Sequence, residues 1–187
     1  LKRYERFLPM LQLKKQQLQL EISAITAHLE TVARETAELQ AAAEAWLALF
    51  SEGELSPALV TLEEIVTDQA NIAGVVIPVY RDIRTRRETL DLFATPAWHD
   101  DAQALVEARL ALAARARILE EQRRLITREL TTTSQRVNLF EKVKIPECRE
   151  NIRIIRIHLG DEQTAAVARG KLAKKRGGGA AAGEDAA

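Results

Sequence analysis

Apolar residues in the first fifty positions recur at alternating steps of three and four. Thirteen of the fifteen positions in this pattern are apolar, in a single register from Leu1 to Phe50. A seam sustained over about seven heptads predicts a coiled-coil helix. Pro9 predicts a kink or a local break near its start. This first seam consists of Leu1, Tyr4, Leu8, Leu11, Lys15, Leu18, Ile22, Ile25, Leu29, Val32, Thr36, Leu39, Ala43, Trp46 and Phe50.

A second heptad segment extends from Trp98 to about Gly170. The first part of this second seam comprises Leu105, Arg109, Leu112, Ala116, Leu119, Arg123, Ile126, Leu130, Thr133, Val137 and Phe140. The pattern then resumes one residue out of phase at Ile145, Cys148, Ile152, Ile155 and Leu159. Because a slip of one residue turns a straight helix away from its partner, the pattern predicts a kink or rewinding between Val143 and Pro146.

The residues between the two helices predict a small insert of mixed structure. Leu59–Ala70 fits a short helix that begins near Pro57. The β-branched run Val75–Tyr80 predicts a strand, and residues 86–93 are its expected partner in a hairpin. Such a hairpin is marginal alone, so it must pack on another element.

The order of these segments predicts a mainly α-helical fold, a long antiparallel two-helix coiled coil with the insert between the helices. Gly53 ends the first helix, and Thr95 caps the second. The expected segments are the N-terminal coiled-coil helix 1–52, the insert 53–96, the C-terminal coiled-coil helix 97–176 and a disordered tail 177–187.

Antiparallel pairing has a consequence for the two ends of the coiled coil. Residue 50 should lie near residue 98, and Leu1 near residues 147–150. The second helix is therefore longer by about 20 residues, and each of these residues adds about 1.5 Å to its length. Either it projects alone or a matching N-terminal stretch precedes Leu1, and we favour the matching stretch.

Composition agrees with long helices and excludes several functional classes. Among 187 residues, 47% are hydrophobic and only 4% aromatic, with 8 Gly and 5 Pro. No window of 18 consecutive apolar residues is present, which excludes a membrane-spanning helix. The formal net charge is zero, and the basic excess of residues 101–160 is modest. A nucleic-acid-binding protein usually carries a stronger basic stripe.

The sequence contains no pattern that predicts catalytic, cofactor-binding or metal-binding residues. It has neither a glycine-rich phosphate loop, nor a histidine pair at metal spacing, nor a nucleophile with a matching base. His28 and His158 fit surface or flanking heptad positions. Cys148 fits a small core residue, and as the single cysteine it forms no internal disulfide.

Charged residues in the heptad pattern allow two interpretations. Lys15, Arg109 and Arg123 occupy seam positions, where long side chains usually extend outward to solvent. The alternative is that they fix the register or pair with a partner chain. The basic cluster Lys171–Arg176 fits the end of a helix, with contact to an acidic partner surface as the alternative.

Several stretches resemble the D subunit of the V-type (A-type) ATPase family, bacterial branch. The most specific is Thr131–Pro146, with its Arg-Val-Asn, Phe-Glu and Ile-Pro elements, because heptads alone do not require it. The resemblance covers essentially the whole chain except the Gly/Ala tail. Other matching stretches are Leu8-Pro9, Leu13-Lys14-Lys15, Asn71–Val75, Leu92–Trp98, Asn151–Arg153, Leu159–Asp161 and Arg169–Lys171.

This resemblance implies a central rotor shaft, which is a non-catalytic subunit of an ion-translocating ATPase. The implied partners are the catalytic A and regulatory B subunits of a threefold ring, the F subunit of the rotor, and a funnel-shaped subunit at the stalk base. The implied location is the cytoplasmic face of the membrane, held there through the complex, with no nucleic acid and no cofactor bound.

The same resemblance implies partner contacts for exposed residues of the second helix. The stretch with Arg153, Arg156, Arg169 and Lys171 is expected within or near the ring. Residues 131–140 are expected partway along the shaft, where they face either the F subunit or the ring. The expected partner-binding residues are Arg136, Asn138, Glu141, Arg153, Arg156, Arg169 and Lys171.

Two other functional classes remain alternatives from the sequence. A coiled-coil adaptor or a prefoldin-like chaperone would share the heptads but would self-assemble. An enzyme would need a site that the sequence does not show.

Overall fold

The computed structural model describes residues 1–50, 59–89 and 98–181, in a mainly helical fold. Two long helical segments are separated along the chain by an antiparallel hairpin, which confirms the predicted fold class. The elements are α1 (Lys2–Phe50), β1 (Val60–Ile72), β2 (Val75–Arg87), α2 (His99–Leu139), a π-helical turn (Phe140–Lys144) and α3 (Ile145–Ala181).

The chain divides into two compact units. The hairpin unit comprises Leu11–Gln135, and the terminal unit combines Leu1–Met10 with the chain from Arg136 onward.

In the hairpin unit, α1 and α2 pack along the predicted seams. Lys14 Nζ donates to Glu129 Oε1 at 2.6 Å, and Arg115 lies 3.5 Å from Glu35. As the residue number rises along α1, the number of the residue it contacts on α2 falls. The two helices are therefore antiparallel, as predicted. All first-seam residues from position 11 to 43 are buried or half-buried. The buried cluster consists of Leu18, Ile25, Val32, Ile77, Leu119 and Ile126.

The hairpin corrects one part of the sequence prediction. Residues 60–72 form strand β1, so the predicted short helix Leu59–Ala70 is wrong. β1 also pairs with β2, whereas the sequence analysis expected residues 86–93 to be the partner of that strand. The β-branched residues of β1 favour a strand once its apolar side can pack on the helices, and this tertiary effect overrides local helical preference.

A two-residue turn fixes the hairpin register. Ala73 and Gly74 both have positive φ, at 51° and 83°, which is typical of a type I′ hairpin turn. The Gly74 N–H also donates to Asn71 Oδ1 at 2.9 Å. The tight turn therefore pairs Ile72 with Val75 directly.

Buried amides of α2 bind the hairpin backbone. Gln103 Nε2 donates to Glu88 O at 2.9 Å, and Gln122 Nε2 donates to Pro78 O at 2.5 Å. Glu107 accepts hydrogen bonds from the Thr85 hydroxyl and the Arg87 guanidinium. The hairpin is thus packed on a second element, as the sequence predicts.

Several structural predictions fall on residues that the structure does not describe. The ends at Gly53 and Thr95, the helix start at Pro57, and residues 90–93 lie outside the described residues, as do the side chains of Trp46 and Phe50. α3 extends to Ala181, so residues 177–181 are helical where a disordered tail was predicted. The rest of that segment, residues 182–187, is likewise not described.

We predict that Leu18→Ala lowers the free energy of unfolding by about 2–4 kcal/mol, because it leaves a cavity in the buried cluster. Leu20→Ala is the matched control, since Leu18 is 0% exposed and Leu20 is 72% exposed on the same helix. Urea unfolding of both variants measures the difference. Equal losses of unfolding free energy in Leu18→Ala and Leu20→Ala would show that the first seam does not form the core.

A second prediction concerns the pH dependence of hairpin docking. The Thr85 hydroxyl and the Arg87 guanidinium lower the pKa of Glu107 below its usual value of 4.5. A lowered pKa means that this stabilisation is complete above the usual value and is lost as pH falls through the folded-state value. The ionised Glu107 carboxylate contributes about 0.5–1 kcal/mol to the free energy of unfolding after allowance for solvent screening.

The expected result is that Glu107→Gln is less stable than wild type at pH 7 and that the difference shrinks at pH 3. Urea unfolding at the two pH values tests this. Glu120→Gln, at an exposed position of the same helix, serves as the control. A difference that stays constant between pH 7 and pH 3 would contradict the assigned role of Glu107.

Candidate partner-binding surface

In the terminal unit, the first residues of α1 pack against the helical segment that starts at Arg136. Val137 is 5% exposed and Ile145 is 7% exposed. The Tyr4 and Phe140 rings meet edge to face, with centroids 5.0 Å apart. Arg149 Nη2 donates to Glu5 Oε1 at 3.1 Å across the two helices. The two seams therefore continue into this unit.

The helix α1 passes through Pro9 without interruption. The local break that the sequence allowed at this position is absent. Proline lacks one backbone donor, so its cost here is one helical hydrogen bond, to the Glu5 carbonyl, together with the strain of its ring.

The π-helical turn confirms the rewinding predicted near Val143. The Ile145 N–H donates to Phe140 O, five residues back. A π turn holds one residue more than an α turn, which equals the one-residue slip of the second seam. Pro146 favours the irregularity, because a proline inside a regular α-helix costs about 3 kcal/mol.

Beyond Ile152, every side chain of α3 described by the structure is exposed. Ile155 and Leu159 continue the second seam but are 56% and 50% exposed. Soluble proteins rarely expose large contiguous apolar surface unless it binds a partner. The uncovered apolar residues of α3 are Ile154, Ile155, Ile157, Leu159, Val167 and Leu172.

The predicted partner-binding residues are all exposed and all lie in the terminal unit. They do not form one patch, because successive helical residues are rotated by about 100°. Arg153 and Arg156 lie one turn apart on one side of α3. Arg169 and Lys171, two residues apart, point to nearly opposite sides, as do Arg136 and Asn138. Glu141 lies in the π turn.

Electrostatics distinguish the two neighbouring arginines. Arg153 donates to Glu150 Oε1 at 2.7 Å, and this hydrogen bond raises the pKa of Arg153 and lowers that of Glu150. Arg156 lines a cleft of about 830 Å³ together with Tyr4 and Ile152. A partner would therefore meet Arg153 as one half of an ion pair and Arg156 in the lining of a largely apolar cleft.

The remaining charged and polar predictions can be located as well. Arg109 and Arg123 are exposed, which fits the outward interpretation, and Lys15 is half-buried. His28 and His158 are exposed, and Cys148 is half-buried on the seam. Lys171 and Lys174 are exposed, but α3 continues past this basic cluster to Ala181, so the cluster does not end the helix.

Sequence reasoning missed the polar anchors of the hairpin. Gln103 and Gln122 are 4% and 8% exposed, and no heptad rule marks a glutamine as buried. It also missed the apolar residues of α3 outside the seam. The signal for these was present, since Ile154 and Ile157 fall between seam positions.

The described residues contain neither a membrane-spanning helix nor a metal-binding cluster. Each helix in the described ranges lacks a stretch of the length and hydropathy that spanning a bilayer requires. No group of three His, Cys, Asp or Glu side chains in the same residues is arranged to hold a metal ion.

Comparison with known proteins identifies the family. A family model for the D subunit of ATP synthase matches residues 1–175. The chain belongs to the family of ATP synthase D subunits. It is 42% identical to the D subunit of the V-type ATP synthase from Borreliella burgdorferi, over 93% of this chain and 86% of the relative. It is 33% identical to the protein of the same name from Chlamydia caviae, over 94% of this chain and 86% of the relative.

For this member of the D-subunit family we predict that Ile145→Ala and Ile155→Ala behave differently. Ile145 is 7% exposed and Ile155 is 56% exposed on the same helix. Ile145→Ala should lower the free energy of unfolding by about 2 kcal/mol or more, and Ile155→Ala should change it by less than about 0.5 kcal/mol.

Urea unfolding of the purified chain checks the stability difference. Recovery of tagged Ile155→Asp with its complex, compared with tagged wild type, checks the binding role of the exposed residues. A destabilised Ile155→Ala would mean that the position is covered within the chain. If the complex is recovered with Ile155→Asp as fully as with wild type, Ile155 does not belong to the partner-binding surface.

Proposed function

We propose that the chain is the central rotor shaft of a V-type ATPase or ATP synthase, which couples ATP hydrolysis or synthesis in the catalytic ring to ion translocation. The observation that carries this proposal is the D-subunit match over residues 1–175. The D subunit is a non-catalytic central-stalk component of this rotary complex. The family assignment does not favour the adaptor or chaperone alternative.

The packing suits an element that transmits torque. The buried seam residues interdigitate along α1 and α2 within the hairpin unit, and close-packed side chains resist local twisting. The hairpin adds a second layer of contacts to α2 through Gln103 and Gln122. This double attachment supports the shaft role, because a bent or slipping helix pair would lose coupling.

The asymmetry of α3 suits a single shaft in a threefold ring. Glu150 and Arg153 lie on one part of α3, and the seam residues Ile155 and Leu159 on another, so each sector meets different chemistry. Differential contacts of this kind shift the open and closed populations of each site. Exposed ion pairs are worth only about 0–1 kcal/mol each, so they exchange readily as the shaft turns.

The partners we propose are the A and B subunits of the ring, with α3 from Arg153 to Lys171 in or near it. The F subunit of the rotor and the funnel-shaped base subunit are the further proposed partners. Arg136, Asn138 and Glu141 face either the F subunit or the ring. We also propose that this complex holds the chain at the cytoplasmic face of the membrane. The proposed segments are 1–52, 53–96 and 97–176, and α3 continues into the fourth expected segment, 177–187, as far as Ala181.

Native mass spectrometry of the complex isolated through this chain tests the proposed function. We expect one copy of the chain with three catalytic and three regulatory subunits. A homo-oligomer without ATPase subunits would contradict the shaft proposal and favour the adaptor alternative.

We further predict that Arg153→Glu reduces ATP-driven ion pumping relative to ATP hydrolysis in the assembled complex, because it reverses charge on the proposed ring contact. Arg124→Glu is the matched control. Arg124 forms the same i,i+3 pair with Glu121, at 2.6 Å, within the hairpin unit. Parallel assays of pumping and hydrolysis measure the ratio. An unchanged ratio in Arg153→Glu, or an equal fall in both variants, would contradict a ring contact localised to α3.

A further inference from the structure

The π turn contains a residue that the packing seam does not require. Phe140 is the seam residue at which the turn begins, and a regular α-helix would place Lys144, four residues later, at the next seam position. Ile145 fills that position instead, because the π turn absorbs one residue. Removal of one residue would therefore give a regular helix with Ile145 in the same place.

Side chains of the turn contribute little to the core. None of the residues Phe140–Lys144 is buried, and Val143 is 49% exposed. Buried residues flank the turn on both sides. Val137, three residues before it, is 5% exposed, and Ile145, directly after it, is 7% exposed.

The flanking seam residues keep the extra residue within the turn. If the helix rewound to regular α geometry without losing a residue, the seam would receive Lys144, Glu147 and Asn151 in place of Ile145, Cys148 and Ile152. Burying these polar groups is unfavourable. The turn is thus a wider helical segment between two packed segments, and Pro146 directly after it donates no backbone hydrogen bond.

We propose that the π turn Phe140–Lys144 is the torsionally compliant joint of the shaft. Twist between Val137 and Ile145 is taken up in this turn, because none of its side chains is buried and Pro146 has no N–H to donate to the turn's carbonyl groups. This inference rests on the proposed rotor function, since a twist-bearing joint has a role only where torque passes along the helix.

Deletion of Val143 tests the joint. The deletion removes the π turn and leaves the seam in phase, so the helix stays packed and becomes uniformly α. Val143→Ala is the matched control, because it removes the exposed side chain and keeps the residue count. Both variants are assembled into the complete ATPase, and thermal angular fluctuation of the shaft is recorded with a probe on the rotor while the ring is held.

The expected result is a narrower angular distribution for the deletion and a wild-type distribution for Val143→Ala. Equal angular distributions for the deletion and the wild type would contradict the proposal that the π turn is a compliant joint. Wild-type chain that fails to assemble with the ring would instead refute the rotor function itself, so the two failures are distinguishable.

Hydrogen exchange in the assembled wild-type complex provides a measurement that does not depend on the deletion folding. We expect amide protection at residues 141–145 to be about fivefold lower than at residues 125–135, the factor that corresponds to one net hydrogen bond. Equal protection in the two segments would overturn the proposal even if the deletion variant cannot be assembled.

Discussion

The interaction on which this fold depends is the burial of one apolar seam between antiparallel helices. Leu18, Val32 and Ile126 are 0–1% exposed in a chain with little aromatic content. Because the seam is narrow, each position contributes to a long row rather than to a thick core. Many of the other described side chains of the helices are exposed, which leaves helical surface available for partners.

Heptad spacing was sufficient to predict the helices and their pairing. The seam positions are dictated by a period of 3.5 residues, which is a property of the sequence itself. The same arithmetic located the π turn, since a one-residue slip has few structural solutions. The hairpin was harder, because Leu59–Ala70 has no strong local preference and becomes a strand only when it packs on the helices.

The exposure of the expected partner-binding residues follows from the sequence, but their arrangement on the helix does not. Exposed arginines of α3 can be identified from heptad position, but their grouping requires the actual helical phase. Arg153 and Arg156 share a side, whereas Arg169 does not share a side with Lys171. The buried glutamines follow no periodic rule, because a buried amide depends on a backbone carbonyl supplied by a distant strand. Gln122 and Pro78 are 44 residues apart in the chain.

The hairpin also affects how the chain can fold. Lys14 and Glu129 are separated by 115 residues, and closing so long a loop is entropically costly and slow. The type I′ turn lets β1 and β2 form locally, and the Glu88 N–H then bonds to Leu59 O at 3.1 Å. That contact shortens the effective loop between α1 and α2. Early hairpin formation would therefore bring the two helices into the same volume before their seam closes.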